Sequence, residues 1–370
     1  MQSQFHWTET EKGTVLASFF VGYILLMLAS GALANRYGGK IVLGTAVVWW
    51  SVCTALTPWA AGISLPALVA ARVALGLGEA AVFPSSINMI GQWVPPLQRS
   101  RAVALLSSAI PLSTVFSLPA TGWLIRDFGW PVPFYAFAAL GVIWALVWVT
   151  KIADGPRIES EPGPLRPRIP WSRLLRSPAI WAIVSNHLCH NWSLYVLLSW
   201  LPSYFKRTFG VTLTSAGLLS AGPWVASFLM ANVAGHFADR LLKSGHSATF
   251  VRKLMQTIGL GGAGFFLLQL PVAGSVTAAL LLTCCATGLL GFCFAGFAPN
   301  SFDIAPRYAD VIWGLSNTFA TIPGIVGVFL TGWLVDRTGS FATPFLVTAV
   351  VAFFGAIVFL ALGSGERQLD

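Results

Sequence analysis

The sequence predicts an all-α membrane protein, a bundle of long helices built from two halves that repeat each other in the same sense. Three observations lead to this prediction. Of the 370 residues, 56% are hydrophobic and only 9% are charged, which is more apolar surface than one soluble core of this size can bury. The apolar residues form long runs between short polar segments. The segments 121–129 (TGWLIRDFG) and 331–339 (TGWLVDRTG) nearly repeat each other.

A second pair of similar segments supports the duplication. These are 31–40 (GALANRYGGK) and 235–243 (GHFADRLLK), and both stand at the ends of apolar runs. The two pairs recur at nearly the same separation, so the whole architecture repeats in parallel. Two same-sense helical halves are typical of a large class of transporters.

Eleven apolar stretches are long enough, at about 20 residues each, to cross a bilayer as helices. The Gly and Pro residues inside them do not exclude helices, because neighbouring groups satisfy the backbone atoms that such residues free. The predicted spans are 13–34, 41–61, 65–91, 100–125, 131–151, 178–205, 213–238, 252–273, 276–300, 309–335 and 340–362.

The distribution of basic residues predicts the sidedness of these spans. Placing the connections alternately on two sides puts 16 of the 22 Lys and Arg residues on one side and 5 on the other, with Arg72 inside a helix. The side with more positive charge is expected to be cytoplasmic, or stromal in an organelle. The C-terminus then lies inside, and the first helix starts outside.

The repeat also predicts how the chain is divided. Segment 31–40 follows the first span, whereas its partner follows the second span of its half, so one helix is expected to be missing at the N-terminus. Polar residues 1–12 resemble the outer loop after such a helix. The chain would then be a truncated form of a twelve-helix protein with eleven helices present.

A polar, proline-rich segment, 152–177, is the predicted inside linker between the halves. It would join an N-terminal bundle, 1–151, to a C-terminal six-helix bundle, 178–370.

The charge and cysteine patterns exclude several other classes of protein. The net charge is +9, but no run of Lys and Arg is long enough to follow a phosphate backbone, so nucleic acid is not an expected partner. The five cysteines lie inside apolar stretches and fit neither a disulfide framework nor a zinc site. We expect no metal and no cofactor.

Two charged residues lie in the third predicted span. Arg72 and Glu79 are seven residues apart, so they share one helix face at roughly 10 Å along the axis. A charge at this depth costs at least about 2.5 kcal/mol and requires a reason. Gly76 and Gly78 between them allow another helix to approach closely. Our hypothesis is that Arg72 attracts an anionic substrate and Glu79 exchanges a proton. The alternative is a structural ion pair with another helix.

The sixth predicted span contains a cluster of five polar residues: Asn186, His187, His190, Asn191 and Tyr195. His190 could line a substrate cavity or make a hydrogen bond between helices. Tyr23 and Asn317 are polar groups within other predicted spans that could orient a substrate.

The second repeated motif suggests a conformational latch. Asp239 and Arg240 stand at the inner end of a helix, where the carboxylate can face a neighbouring helix N-terminus and pair with arginine. The first copy has Asn35 and Arg36, so the latch there should be weaker. The alternative is that these residues only set the topology.

Taken together, these segments resemble the major facilitator superfamily, and within it the anion transporter branch that includes sialin, vesicular glutamate carriers and plant plastid phosphate or ascorbate carriers. The resemblance covers nearly the whole chain. Segments 190–205 and 252–264 look closest to the plastid carriers. The most specific pieces are 72–85 (RVALGLGEAAVFPS), 93–102 (WVPPLQRSRA), 117–125 (SLPATGWLI), 249–259 (TFVRKLMQTIG) and 302–318 (FDIAPRYADVIWGLSNT).

The resemblance implies secondary active transport of a small anion, such as phosphate, ascorbate or another carboxylate, coupled to H+ or Na+. Two halves would rock around a central site in alternating access. By the branch's motif, Arg72 is its anion-site arginine, Glu79 its coupling carboxylate, and Tyr23 and Asn317 contact substrate. His190 stands where the glutamate carriers have arginine, which argues against glutamate. A monomer in a plastid envelope or thylakoid membrane, or in a plasma or vesicular membrane, is implied.

Two other functions stay open at this point. A truncated, inactive or regulatory relative would share all these motifs. A membrane-embedded transferase would need acidic or histidine clusters at the membrane edge. Asp303 and Asp310 are the only paired acids near an inner edge, and Arg307 between them suggests structural pairing. We therefore do not expect an enzyme.

Overall fold

The computed structural model describes residues 2–94, 99–152 and 170–368, and these residues are almost entirely helical. No β-strand occurs within the described ranges. In chain order the α-helices are α1 (Gln2–Phe5), α2 (Glu9–Tyr37), α3 (Gly39–Ile63), α4 (Leu65–Glu79), α5 (Val82–Trp93), α6 (Arg99–Phe128), α7 (Val132–Lys151), α8 (Trp171–Arg176), α9 (Pro178–Phe209), α10 (Leu213–Lys243), α11 (Ala248–Gln256), α12 (Gly262–Leu267), α13 (Val276–Leu290), α14 (Cys293–Ile304), α15 (Ala309–Thr338) and α16 (Ala342–Leu362).

These helices confirm the predicted polytopic bundle. Nine of the helical segments in the described ranges are long and apolar enough to cross a membrane. Two further helices, α6 and α9, have 30 and 32 residues but carry more polar side chains. Three spans each consist of two helices separated by a break: α4 and α5, α11 and α12, and α13 and α14. Between α11 and α12 the chain forms a π-helical turn, Thr257–Gly261.

Some helices extend beyond the apolar stretches that predict them. Helix α2 begins at Glu9 rather than residue 13, because Thr8 and Glu11 form a capping box. The Thr8 hydroxyl accepts from the Glu11 backbone N–H (3.1 Å), and the Glu11 carboxylate accepts from the Thr8 backbone N–H (2.8 Å). Hydropathy does not detect such a polar first turn.

The chain forms two compact units. The first comprises Met1–Ile110 with Trp123–Arg166, and the second comprises Pro111–Gly122 with Pro167–Asp370. The middle of α6 thus groups with the second unit. Most of the predicted linker, 152–177, lies outside the described residues, and the domain boundaries stay a prediction.

Glycines set the packing of the first unit. A Cβ atom at Gly76 in α4 would collide with the carbonyl of Phe19 in α2, and a Cβ at Gly22 in α2 would collide with the carbonyl of Val73 in α4. The two backbones are therefore in direct contact, as small residues permit in membrane helix pairs.

Aromatic packing dominates the second unit, where α9 lies against α15 and α16. Trp200 is fully buried, and its indole N–H donates to the carbonyl of Val328 in α15 (3.1 Å). Tyr204, one turn further along α9, meets the ring of Phe345 in α16 edge to face at 4.9 Å. This arrangement satisfies the buried tryptophan N–H and anchors α9 between its neighbours.

The repeated TGW motif has the same structural role in both copies. Each copy ends its helix at a glycine with positive φ, Gly129 (91°) after α6 and Gly339 (70°) after α15. Each of these glycines donates its N–H to the carbonyl four residues earlier. In the first copy, Arg126 donates to the Asp127 carboxylate (2.6 Å) and thereby lowers the pKa of Asp127.

The glycine contact between α2 and α4 can be tested within one helix. We expect Gly22→Ala to destabilise the protein by about 1–3 kcal/mol, because the added methyl group meets the α4 backbone. Gly31→Ala in the same helix is the matched control, since a Cβ there has no atom within 4 Å. Because alanine favours helix over glycine by about 1 kcal/mol, the control should be neutral or stabilising. Thermal unfolding in detergent measures the stability of both variants. Equal changes in stability would show that the backbone contact at Gly22 does not restrict this position.

Candidate functional site

The helix that carries Arg72 and Glu79 is interrupted immediately after Glu79. Pro84 lies in the following turn and has no N–H to donate to the carbonyl of Ala80, four residues earlier. The Ser30 hydroxyl of α2 lies 3.2 Å from this carbonyl oxygen, so its single proton is shared between this carbonyl, which lacks its usual N–H donor, and a closer carbonyl within α2. The same hydroxyl is 2.8 Å from the carbonyl of Met27. Helix α2 therefore supports the break beside Glu79.

Arg72 forms no ion pair within 4.0 Å in the part of the chain that is described. Its guanidinium carbon lies 5.6 Å from the centroid of the Phe19 ring, a cation–π arrangement. Its Nε atom is buried and has no hydrogen-bond partner. The arginine thus has a donor available inside a membrane-spanning helix. A structural ion pair between Arg72 and another helix, the alternative hypothesis, is therefore not formed among the described residues.

Tyr23 stands next to this charged face of α4. The backbone of α2 at Phe19 and Tyr23 lies against Gly76, which is midway between Arg72 and Glu79. Glu79 lies on the same face of α4, about two turns beyond Arg72. The structure therefore brings together three of the residues that the sequence selects, and all three belong to the first unit.

His190 and Asn317 belong to the second unit. His190 is 1% exposed, both of its ring nitrogens lack a partner, and its ring meets Phe294 edge to face at 4.9 Å. Asn317 is partly buried on α15, beside Ser316, whose hydroxyl lies 3.2 Å from Nδ1 of His187. No described contact joins His190 to Asn317.

The polar cluster of α9 is only partly satisfied. Asn191 donates to the carbonyl of Ala320 in α15 (2.9 Å), and His187 stacks on Phe297 at 4.5 Å. Asn186, fully buried, has no partner for either amide atom. A buried polar group without a partner costs about 1–3 kcal/mol, so water or a ligand is expected beside Asn186 and His190. The sequence pattern indicated this cluster, but it predicted a role only for His190.

The residues of the predicted latch lie at helix ends. Arg36 is exposed near the end of α2, with its guanidinium carbon 5.3 Å from the Tyr37 ring centroid. The side chain of Asn35 lies outside the described part of the chain. Asp239 and Arg240 are exposed near the end of α10 and form no ion pair with any described residue. The latch stays a prediction.

The structure contains one buried ion pair that the sequence pattern did not predict. Arg252 of α11 is 7% exposed, and it holds Asp303 of α14 with two nitrogens, Nε to Oδ2 at 2.7 Å and Nη2 to Oδ1 at 3.4 Å. Asp303 was expected to pair with Arg307, whose side chain is not described. The partner is Arg252 because α11 packs directly against α14.

Arg252 has a second role that resembles that of Ser30. Its Nη1 donates to the carbonyl of Ala295 (3.0 Å), and Pro299 is the residue that removes the normal partner of this carbonyl. Each half therefore has a proline-interrupted span whose freed carbonyl is satisfied by a neighbouring helix. The signal available in the sequence was a proline inside each of two corresponding spans, Pro84 and Pro299. Each proline leaves the carbonyl four residues earlier without its usual N–H donor.

The chain belongs to the Major Facilitator Superfamily, whose family description matches residues 1–328. It is 39% identical over 384 residues to the "Ascorbate transporter, chloroplastic" of Arabidopsis thaliana, covering 100% of this chain and 71% of that protein. It is 38% identical to the "Sodium-dependent phosphate transport protein 1, chloroplastic" of the same plant, covering 100% and 75%. It is 34% identical to "Sialin" of Ovis aries, covering 99% and 78%.

Solved structures show the same fold. A bacterial homologue of the human lysosomal transporter Spinster, inward-facing and unoccupied, matches with a TM-score of 0.82 and 17% identity, covering 98% of this chain and 90% of that one. A D-xylose–proton symporter matches with a TM-score of 0.77 and 16% identity, covering 97% and 89%. The family and the named relatives identify an integral membrane anion transporter of the anion:cation symporter branch, not an enzyme.

The support of the α4–α5 break by Ser30 gives a second prediction. We expect Ser30→Ala to lower the free energy of unfolding by about 1–3 kcal/mol, because the Ala80 carbonyl loses its substitute donor. In a Pro84→Ala background the helix regains its own N–H, so the same serine change should cost clearly less. Unfolding measurements on the four proteins of this cycle give the coupling. Equal costs in both backgrounds would show that Ser30 does not replace the proline's missing donor.

Proposed function

We propose that this chain moves a small anion, namely phosphate, ascorbate or another carboxylate, across a membrane by alternating access, with H+ or Na+ as the coupling ion. The observation that carries the proposal is the position of Arg72. It is a charged residue in a membrane-spanning helix, it has no ion-pair partner among the described residues, and one of its donors is buried without a partner. Such residues are expensive to keep and mark ion or substrate pathways.

The chemistry of arginine suits this cargo. A guanidinium group presents several N–H donors in a planar fork, and it binds phosphate or carboxylate oxygens with two parallel hydrogen bonds. The contact of Arg72 with the Phe19 ring holds one face of the guanidinium and leaves its edge for the anion. Tyr23, one turn beyond Phe19 on the same face of α2, adds a hydroxyl that could donate to the bound anion.

Glu79 is the proposed coupling group. It is partly buried seven residues from Arg72, where protonation or a bound sodium ion would neutralise its charge. When an anion occupies Arg72, neutralising Glu79 removes the repulsion between the two negative groups. Cargo and coupling ion would then move together. The names of the relatives include a sodium-dependent phosphate protein, and this supports testing Na+ as well as H+.

We assign His190 and Asn317 of the second unit as further substrate contacts. The partnerless nitrogens of His190 support this role, because an entering anion could accept a hydrogen bond from the ring N–H. The pairs Asn35–Arg36 and Asp239–Arg240 are proposed to form a latch that changes between conformations. We propose a monomer of two helical bundles, 1–151 and 178–370, joined by 152–177. The relatives named as chloroplastic favour a plastid membrane. The similarity to sialin is equally compatible with a plasma or vesicular membrane.

Uptake into proteoliposomes tests this function. We expect uptake of radiolabelled phosphate or ascorbate driven by a pH or sodium gradient, and a loss of about tenfold or more in Arg72→Ala, because one charge-assisted contact is worth roughly 1.5–3 kcal/mol. Glu79→Gln should lose gradient-driven accumulation yet retain exchange of labelled for unlabelled anion, since only coupling is removed. Arg126→Ala, at an exposed helix end, is the control and should transport normally.

Three results would contradict the proposal. Unchanged uptake by the Arg72→Ala variant would remove this residue from the anion site. Equal loss of accumulation and exchange in Glu79→Gln would remove Glu79 from coupling. The absence of uptake of every anion by the unmodified, folded chain would favour a regulatory relative.

A further inference from the structure

An apolar groove runs along the outside of the first unit between α3 and α7. Its volume is about 630 Å³, within the roughly 300–1,000 Å³ of typical ligand sites. None of the residues assigned above to anion transport lines it. Lys40, Thr45, Val48, Trp49, Val52 and Trp148 are among the residues that line it.

The length of the groove matches one leaflet of a bilayer. Along α3 it extends from Lys40 to Val52, a rise of roughly 18 Å at about 1.5 Å per residue. Half of a hydrocarbon core of about 30 Å is roughly 15 Å. An acyl chain of one leaflet would therefore fill the groove from the bilayer centre to the level of Lys40.

The walls of the groove are held in place by hydrogen bonds to the backbone. The Trp148 indole N–H donates to the carbonyl of Lys40 (3.0 Å), and this ring also stacks on Trp144 at 4.6 Å. The Trp49 indole N–H donates to the carbonyl of Ala74 (2.7 Å), although 52% of this side chain is exposed. Both large side chains are thus fixed before anything binds, which reduces the entropy cost of binding.

The charge lies at one end only. Lys40 lines the groove at the first turn of α3, and Lys151 is the exposed last residue of α7, less than one turn beyond Trp148. The remaining lining residues are apolar, small or, in the case of Thr45, hydrogen-bonded to the Ile41 carbonyl. Both lysines fall on the side that carries most of the basic residues, predicted to be the inner side.

We propose that this groove binds one anionic phospholipid of the inner leaflet. The phosphate headgroup would lie against Lys40 and Lys151, and one acyl chain would lie between α3 and α7 against Val48, Val52 and Trp148. A fixed apolar slot of one-leaflet length with positive charge at a single end fits this ligand class. The small anions of the proposed function have no apolar tail and would leave the slot empty.

The test is the retention of lipid by the purified full chain in native mass spectrometry, with equal amounts of phosphatidylglycerol and phosphatidylcholine added. We expect preferential retention of one phosphatidylglycerol. Each of Lys40→Gln and Lys151→Gln should lower that preference about fivefold, in line with the attraction of one basic residue for anionic lipid. Lys243→Gln is the matched control, because this lysine is exposed at the end of α10 in the other unit and on the same predicted side.

A second variant tests the acyl-chain half of the site. Thr45→Trp places a large side chain in the groove and should reduce retention of both lipids, whereas the lysine variants change only the preference. Thermal unfolding of each variant confirms that it is folded. Since no transport is measured, failure here leaves the proposed function untouched.

Three outcomes would overturn the proposal. Equal retention of the two lipids by the unmodified chain would indicate ordinary boundary lipid. An equal loss in Lys243→Gln would indicate a general surface charge effect. Displacement of phosphatidylglycerol by an equal concentration of inorganic phosphate would assign the lysines to a soluble anion instead.

Discussion

The direct backbone contact between α2 and α4 is the constraint on which the candidate site depends. Gly22 and Gly76 leave no room for a side chain, so the two helices meet at one register only. This register brings Phe19 over Arg72 and places the backbone of Tyr23 against Gly76, between Arg72 and Glu79. Arg72 and Glu79 alone do not form a binding site. The free-energy cost of placing their charges in the membrane is offset only if neighbouring groups or a bound ligand interact with them.

Backbone satisfaction is the second constraint, and both halves meet it in the same way. Proline interrupts one span in each half, and a neighbouring helix supplies the lost donor, Ser30 in the first and Arg252 in the second. The two donors differ in chemistry: Ser30 is a neutral hydroxyl, whereas Arg252 also forms an ion pair with Asp303. The two halves therefore share this way of satisfying the backbone, in addition to their sequence repeats. The residues that supply the donor differ between the halves.

Local patterns predicted most of the fold, and non-local contacts account for what was missed. Apolar runs and the repeats indicated the helices and their duplication, and the capping box at Thr8 explains why α2 starts earlier than its apolar stretch. The pairing of Arg252 with Asp303 joins residues 51 positions apart, and no short-range pattern encodes it. Seven-residue spacing was enough to place Arg72 and Glu79 on one face, but the burial of His190 between aromatic rings depends on how α9 meets α14.

The most direct test of the central claim is the reaction of a Tyr23→Cys variant with a small, water-soluble thiol reagent, compared with the parent chain. If Tyr23, Arg72 and Glu79 form an anion site, the new cysteine reacts from water, saturating phosphate or ascorbate protects it, and Arg72→Ala removes the protection. Reaction only with a membrane-soluble maleimide, or no protection by any anion, would show that this face of α2 and α4 does not meet the transported substrate.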